Sequence, residues 1–348
     1  MKFFIARSSS RPIAIWLLIG VGMIMIQVML GGITRLTGSG LSITEWKPIL
    51  GTLPPTDDAS WQAAFEKYKQ IGQYKQINFT YTLEDFKFIY FWEWLHRNWA
   101  RLLGVVFLIP FIVFLIQKRF RRDMILPMVI LFILGALQGA IGWIMVQSGL
   151  NQNDVYVSHI RLAGHFIGAL VLLCYALWFA LKLLVPSAEW VINRSFRNFT
   201  IAILVVYTLQ LIYGAFMAGL KAAVAAPTWP TINGKWLPAI DTGNLTGDLI
   251  TVQFIHRGLA YLITLLVLIW WVKARQIVSS AYFSKTRALP LVVVVMQVAL
   301  GVLTVLYSSD RNILLWLGAA HQFTAMILLM LWIWMIFLLR SKSFLRLS

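Results

Sequence analysis

Long apolar runs broken at intervals by short polar stretches set the pattern of this chain. Runs of about 20 residues fall at roughly 12–34, 88–116, 124–147, 156–184, 198–220, 250–272, 288–307 and 313–339. As a helix, each is long enough to cross the ~30 Å hydrocarbon core of a bilayer. The runs lack the dyad alternation of a membrane barrel, so helices, which satisfy every backbone group internally, are the expected element. The pattern predicts an all-α polytopic membrane protein with eight transmembrane helices. Between the first two runs lies a polar segment in which Pro54-Pro55 precedes Asp57, Asp58 and Ser60, followed by Trp61, Phe65 and Tyr68 at helical spacing. That order predicts a capped helix whose aromatic stripe rests on the membrane surface.

The pattern repeats. Gln27-x-x-x-Gly31 and Trp46 recur as Gln210-x-x-x-Gly214 and Trp229, and Gln138-x-x-x-Gly142 recurs as Gln297-x-x-x-Gly301. Glu93-Trp-Leu-His96-Arg97 recurs in muted form as Gln253-Phe-Ile-His256-Arg257, and the fourth and eighth runs each carry a histidine, His165 and His321. The chain therefore reads as a tandem duplication with halves at 1–185 and 186–348, two pseudo-symmetric four-helix bundles of the same orientation.

Composition agrees with the span count: 59% of residues are hydrophobic and 12% charged, and the mean hydropathy is +0.76. A net charge of +17 raises the question of nucleic acid, but the basic residues follow membrane side rather than one soluble face. Lys2, Arg7 and Arg11, then Lys118 to Arg122, Lys182/Arg194/Arg197, Lys273 to Arg287 and Arg340/Lys342/Arg346 fall on one side. Both termini are therefore expected in the cytoplasm, with loops 35–87, 148–155, 221–249 and 308–312 on the other face. Membrane lipid, not nucleic acid, is the expected surrounding. The amino-terminal stretch reads as an uncleaved first helix in a bacterial inner membrane. The single cysteine, Cys174, lies mid-span, so there is neither an intramolecular disulfide nor a CxxCH haem attachment.

Four of the five histidines, His96, His165, His256 and His321, stand one per even-numbered span, six to eight residues in from the outer side. An intramembrane histidine taken alone is usually hydrogen-bonded to a neighbouring helix. Four at matched depth, duplicated by the repeat, favour ligation. Zinc fits poorly, because no Cys, Asp or Glu completes a tetrahedral set in either half. Two bis-histidine haem sites, His96 with His165 and His256 with His321, are the expectation. His159 reads as an interfacial residue rather than a ligand. Each Gln-x-x-x-Gly motif permits two readings, tight helix packing or a flat surface for a macrocycle. Arg35, Arg97, Arg101, Arg161 and Arg257 lie at or near outer span ends, where they would pair with haem propionates or snorkel to headgroups. Glu93 is the informative asymmetry. It either pairs with Arg97 or Arg101, or acts at the first-half haem as a proton acceptor or a stabiliser of positive charge. On the second reading the first half is reactive and the second holds an electron-transfer or structural haem.

Gly32-Ile-Thr-Arg-Leu-Thr-Gly-Ser-Gly-Leu-Ser42, Glu45-Trp-Lys-Pro48, Glu93 to Arg97, Arg161-Leu-Ala-Gly-His165, Ala226-Pro-Thr-Trp-Pro-Thr-Ile-Asn-Gly234 and His256-Arg257 together resemble the haem A synthase family. The likeness is to the branch shared by proteobacteria and mitochondria, and it spans nearly the whole chain. It implies oxidation of the C8 methyl of haem O to a formyl, giving haem A for cytochrome c oxidase. It further implies haem b between His256 and His321, with substrate haem O between His96 and His165 beside Glu93. Haem O synthase, cytochrome c oxidase assembly factors, an unidentified redox partner and a second copy of the chain are the partners in prospect. The outer-loop cysteine pairs of another branch are absent, which removes a thiol role, and His159 stands where relatives tend to have tyrosine. Two other classes compete: a diheme b-type electron carrier or quinol oxidoreductase, and a haem transporter. Four ligands at one depth disfavour the carrier, and a carboxyl beside one ligand pair only disfavours the transporter.

Overall fold

The structure, a computed structural model, describes residues 7–46 and 50–340. Lys2, Lys342, Arg346 and the Lys47-Pro48 pair of the outer-loop motif lie outside the described residues. Eleven α-helices are present among the described residues: α1 (Arg7–Leu36), α2 (Asp58–Tyr68), α3 (Gly72–Gln76), α4 (Leu83–Ile116), α5 (Arg122–Gln147), α6 (His159–Leu184), α7 (Arg194–Gly219), α8 (Leu249–Ala274), α9 (Ala281–Thr286), α10 (Leu289–Leu306) and α11 (Arg311–Leu338). Eight helical segments are long and apolar enough to span a membrane: α1, α4, α5, α6, α7, α8, α9 with α10, and α11. The one strand pairing among these residues joins Val191–Ile192 in parallel to Leu339–Arg340. The protein is all-α and polytopic, and the eight apolar runs of the sequence each become one span.

The same neighbours recur in each set of four spans. In the first set α1 packs on α4 and α6, and α5 packs on α6. In the second α7 packs on α8 and α11, and α10 packs on α11. Between the sets α6 meets α7, the equivalent α11 meets α1, and α6 meets α11, the exchange expected of a two-fold axis running along the helices. At this junction Gln322 Nε2 donates to the Val28 carbonyl at 2.9 Å, and a Cβ on Gly32 would fall 2.2 Å from the Gln322 amide oxygen. A side chain there would displace the Gln322 amide.

α4 has 34 residues, about 51 Å at 1.5 Å per residue, so its first turns stand outside a ~30 Å core. These turns carry the outer loop. The predicted capped helix is α2, with Asp57 as N-cap accepting from the Ser60 amide at 2.8 Å and Ser60 Oγ returning a bond within the same box. Its aromatic stripe does not rest on the membrane. Phe65 and Tyr68 are buried against Phe86 and Ile89 of α4, with Trp61 edge-on to Tyr90 at 5.1 Å. The protruding turns of α4 supply an apolar surface closer than lipid, and packing there buries Phe65 and Tyr68 and half-buries Trp61.

His159 is likewise placed more specifically than an interfacial residue. It opens α6 and packs edge-on against Phe216 of α7 at 5.7 Å, between the two sets of spans.

Candidate functional site

The four spans of each set enclose a core in which the histidine-bearing helices stand diagonally opposite, α4 across from α6 and α8 across from α11. Each histidine leans on the adjoining helix that carries a Gln-x-x-x-Gly motif, and the glycine is what admits it. A Cβ on Gly31 would lie 3.0 Å from His96 Cε1, on Gly142 2.7 Å from His165 Cε1, on Gly214 3.3 Å from His256 Cε1 and on Gly301 2.9 Å from His321 Cε1. Neither earlier reading of the motif survives unchanged: the missing side chain makes room for an imidazole edge, not for a helix backbone or a macrocycle. One turn earlier on the same face stands the glutamine. Gln27 Nε2 lies 3.2 Å from His96 Nδ1, Gln138 Nε2 3.0 Å from His165 Nδ1, Gln210 Nε2 3.4 Å from His256 Nε2 and Gln297 Nε2 3.2 Å from His321 Nε2. His321 is further fixed by its Nδ1, 3.1 Å from the Gln297 carbonyl.

In the second set the two imidazoles, His256 and His321, approach each other, with ring centroids 6.5 Å apart at 70°; in the first, His96 and His165 stand on the corresponding helices, each seated against its own glycine. The donor set is two nitrogens per site: among the described residues no group of three His, Cys, Asp or Glu side chains converges. Two imidazole nitrogens per site would suit a metal that brings its remaining ligands with it, as haem iron does. Orphaned buried atoms agree. His256 Nδ1 and the amide oxygens of Gln27, Gln210 and Gln297 have no hydrogen-bond partner. A half-turn of the Gln27 amide presents its oxygen to a ring N–H of His96, and the Gln297 carbonyl already stands 3.1 Å from His321 Nδ1; such a bond is the one a ligating imidazole makes through the nitrogen away from its metal. The residues present therefore fit haem.

Glu93 is 2% exposed and fully engaged. Its Oε2 accepts from Ser42 Oγ at 2.6 Å and from the Ile43 amide at 2.9 Å, and its Oε1 accepts from Arg97 at 2.6 Å. Arg97 continues to the carbonyls of Ile43 at 2.9 Å and Glu45 at 3.2 Å. The pair thereby pins the outer loop to α4, one turn above His96. The second set repeats the device without the charge. Gln253 Oε1 accepts from Arg257, Gln253 Nε2 donates to the Ala222 carbonyl at 2.8 Å, and Arg257 reaches the carbonyls of Ala226 and Thr231 at 3.2 Å. Both pairings follow from i,i+4 spacing on one helical face. The loop partners Ser42 and Ile43 escaped the sequence reading. Their only signal is that they close the Gly-Ser-Gly-Leu-Ser turn after the first span.

The remaining arginines do not converge. Arg101 bonds to Asn98 Oδ1 at 2.8 Å on its own helix, Arg161 donates to the Ile144 carbonyl at 2.9 Å on an exposed face, and Arg35 closes the last turn of α1. Arg257 alone combines the site's neighbourhood with a buried, unpartnered Nε.

Comparison with known proteins identifies the family. A family model described as COX15-CtaA, cytochrome oxidase assembly protein, matches residues 14–333. A protein named Heme A synthase from Flavobacterium psychrophilum is 41% identical over 339 residues, covering 92% of this chain and 96% of its own. One of the same name from Rhodospirillum centenum is 42% identical over 348 residues, covering 97% and 91%, and one from Nitrosospira multiformis is 38% identical over 333 residues, covering 93% and 92%. With a match across nearly all of its spans and both histidine pairs, the chain belongs to the COX15-CtaA family of cytochrome oxidase assembly proteins.

Proposed function

We propose that the protein is a haem A synthase, a membrane oxidoreductase that converts the C8 methyl of haem O to a formyl and so supplies haem A to cytochrome c oxidase. Residues 1–185 form the half that takes haem O, with His96 and His165 as iron ligands. Residues 186–348 form the half that keeps haem b, with His256 and His321 as ligands. Bound haem b supplies one-electron chemistry that the polypeptide lacks. The excess of Lys and Arg in alternate loops supports a bacterial inner-membrane protein with both termini in the cytoplasm and with its outer loops and haem sites toward the periplasm. Haem O synthase and oxidase assembly factors are the partners that this role requires, together with a redox partner.

One observation carries the division of labour. The two halves anchor their outer loops through the same Glu/Gln-to-Arg pairing, and an amide performs that task in the second half. A carboxylate is costly to bury where an amide suffices, so the charge of Glu93 serves chemistry at the first-half porphyrin, as a proton acceptor or a stabiliser of positive charge. Ser42 and Arg97 hold that carboxylate in place, Gln27 and Gln138 orient the two imidazoles, and the loop pinned by Arg97 covers the site against water. Of Arg35, Arg97, Arg101, Arg161 and Arg257, the candidates for meeting propionates, Arg257 is the one with a buried, unpartnered Nε beside its histidine. The test is complementation of a strain that makes haem O but lacks its own synthase. Haem A in its membranes is the expected result; haem O accumulating alone, with the chain present in the membrane, overturns the assignment.

A further inference from the structure

Directly beneath the first histidine pair, on the side where α1 begins, lies an apolar cavity of about 250 Å³ walled by α1, α4, α5 and α6. Its lining includes Gly20, Ala100, Gly104, Gly135, Leu172 and Ala176. Ala100 is one turn past His96 and Leu172 two turns past His165, so the space begins within about 10 Å of the imidazole layer. A Cβ added at Gly20, Gly104 or Gly135 would meet nothing within 4 Å. α4 and α5 touch only sparsely, and Ala100, Gly104, Gly135 and Ala136 are exposed between them. The cavity thus opens sideways toward lipid.

The internal repeat provides a control within the same molecule. Carrying Gly20, Gly104, Gly135 and Ala176 across by the offsets that relate the two halves gives Ile203, Thr264, Val294 and Trp332. Ile203, Val294 and Trp332 are buried, Trp332 sits edge-on to Trp270 at 5.4 Å, and α8 packs on α10. Where the first half has Gly20, Gly135 and Ala176 along the space, the second has the buried side chains of Ile203, Val294 and Trp332. Exchanges also run the other way, Trp16 for Phe199, Leu17 for Thr200, Met23 for Val206, Phe107 for Val267, Leu131 for Pro290 and Phe132 for Leu291; of these, Phe107 and Phe132 stack on each other at 6.1 Å and form the outer wall of the cavity. Since interiors are otherwise filled to near-crystal density, a dry void kept in one of two equivalent bundles needs an occupant.

We infer that this cavity receives a long apolar isoprenoid chain carried by the porphyrin held at His96 and His165, entering sideways between α4 and α5. The inference rests on the proposed assignment of the first half to haem O, which differs from haem b by such a chain, and it names the part of the protein that reads the difference. The filled second half excludes the chain and selects the plain porphyrin. An iron ligand pair cannot make this distinction, because both porphyrins present the same iron; the volume beside it can.

The test replaces two cavity residues by those of the second half, Gly20→Ile with Gly135→Val, in the full-length protein purified from cells that make haem O. Extracted haems are separated by chromatography, and binding of added haem b and added haem O to the purified variant is titrated by visible absorption. Retained isoprenoid haem should fall at least tenfold. Haem b content per chain should remain at the wild-type value, which also reports folding, and affinity for added haem b should be unchanged at the first-half site. Wild-type retention of isoprenoid haem overturns the inference. So does an equal loss of affinity for both porphyrins, which would locate the effect at the macrocycle. His96→Ala serves as the second variant: if it removes isoprenoid haem while the cavity variant does not, the cavity assignment fails and the first-half site stands; if it leaves isoprenoid haem in place, the division between halves fails first.

Discussion

Substituting alanine for the glycine behind each histidine should weaken haem binding in proportion to how closely the new methyl approaches the ring. At Gly301 the added Cβ would stand 2.9 Å from His321 Cε1, well inside the ~3.5–4.0 Å of ordinary carbon contact. The ring cannot slide away freely, because its Nδ1 is held 3.1 Å from the Gln297 carbonyl. Either that bond breaks or the helices part, an overpacking cost of about 1–3 kcal/mol, which is roughly a five- to hundredfold loss of affinity. At Gly214 the approach is 3.3 Å, and the facing His256 has a free Nδ1 and can give way. Gly301→Ala should therefore lower the haem b content of purified protein, read as the pyridine haemochrome per chain, by about fivefold or more, whereas Gly214→Ala should change it less than about twofold. Equal losses, or a larger loss at Gly214, would refute the view that these glycines exist to seat imidazoles.

Three further outcomes follow from the geometry. Glu93→Gln should keep the pairing to Arg97, as Gln253 keeps its own to Arg257, so haem content persists while haem A formation stops; normal haem A in the complemented strain would remove Glu93 from the chemistry. Tyr68→Phe strips the buried hydroxyl that accepts from Asn78 at 2.7 Å and donates to Gln73 at 2.9 Å, a loss of about 1–3 kcal/mol. It should speed proteolysis within residues 51–82 without lowering haem b, and an unchanged cleavage rate would show that the loop is held elsewhere. Asp57 is held below the usual carboxylate range by the Ser60 amide and hydroxyl, and Asp248 by the Thr251 hydroxyl and amide. A depressed folded pKa stabilises above the unfolded value near 3.9 and is lost as pH falls through the folded one. Protection factors of the amides at the starts of α2 and α8, with the intrinsic pH dependence of exchange divided out, should therefore be flat around neutral pH and fall below about pH 4; a fall beginning near neutrality would point to other groups.

Spans, repeat and capped loop helix were all legible, because each rests on local signals: run length, fixed offsets, and Asp57 followed three residues later by Ser60. That Glu93 would pair with a nearby arginine was legible, but the sequence left Arg97 and Arg101 both open, and the structure shows the i,i+4 partner, Arg97. What joins distant segments was not. An amphipathic stripe such as Trp61/Phe65/Tyr68 does not say whether lipid or protein covers it, and the answer lay in the extra turns of α4. Four Gln-x-x-x-Gly motifs and four histidines could be counted from the chain, but which glycine receives which ring depends on which helices adjoin. Ser42 and Ile43 reach Glu93 from about 50 residues away. The cavity was hidden twice over, since glycines in a span read as packing residues until their counterparts Ile203, Val294 and Trp332 are seen filling the same volume.

The central claim, two bis-histidine sites holding chemically different haems, is tested most directly by chromatography of the haems extracted from wild-type, His96→Ala and His256→Ala protein made in cells that produce haem O. The account predicts haem b together with haem O or its oxidised products in wild type, loss of haem b alone from His256→Ala, and loss of the isoprenoid haems alone from His96→Ala. Two equivalents of haem b in the wild-type protein, or loss of the same haem from both variants, would contradict it.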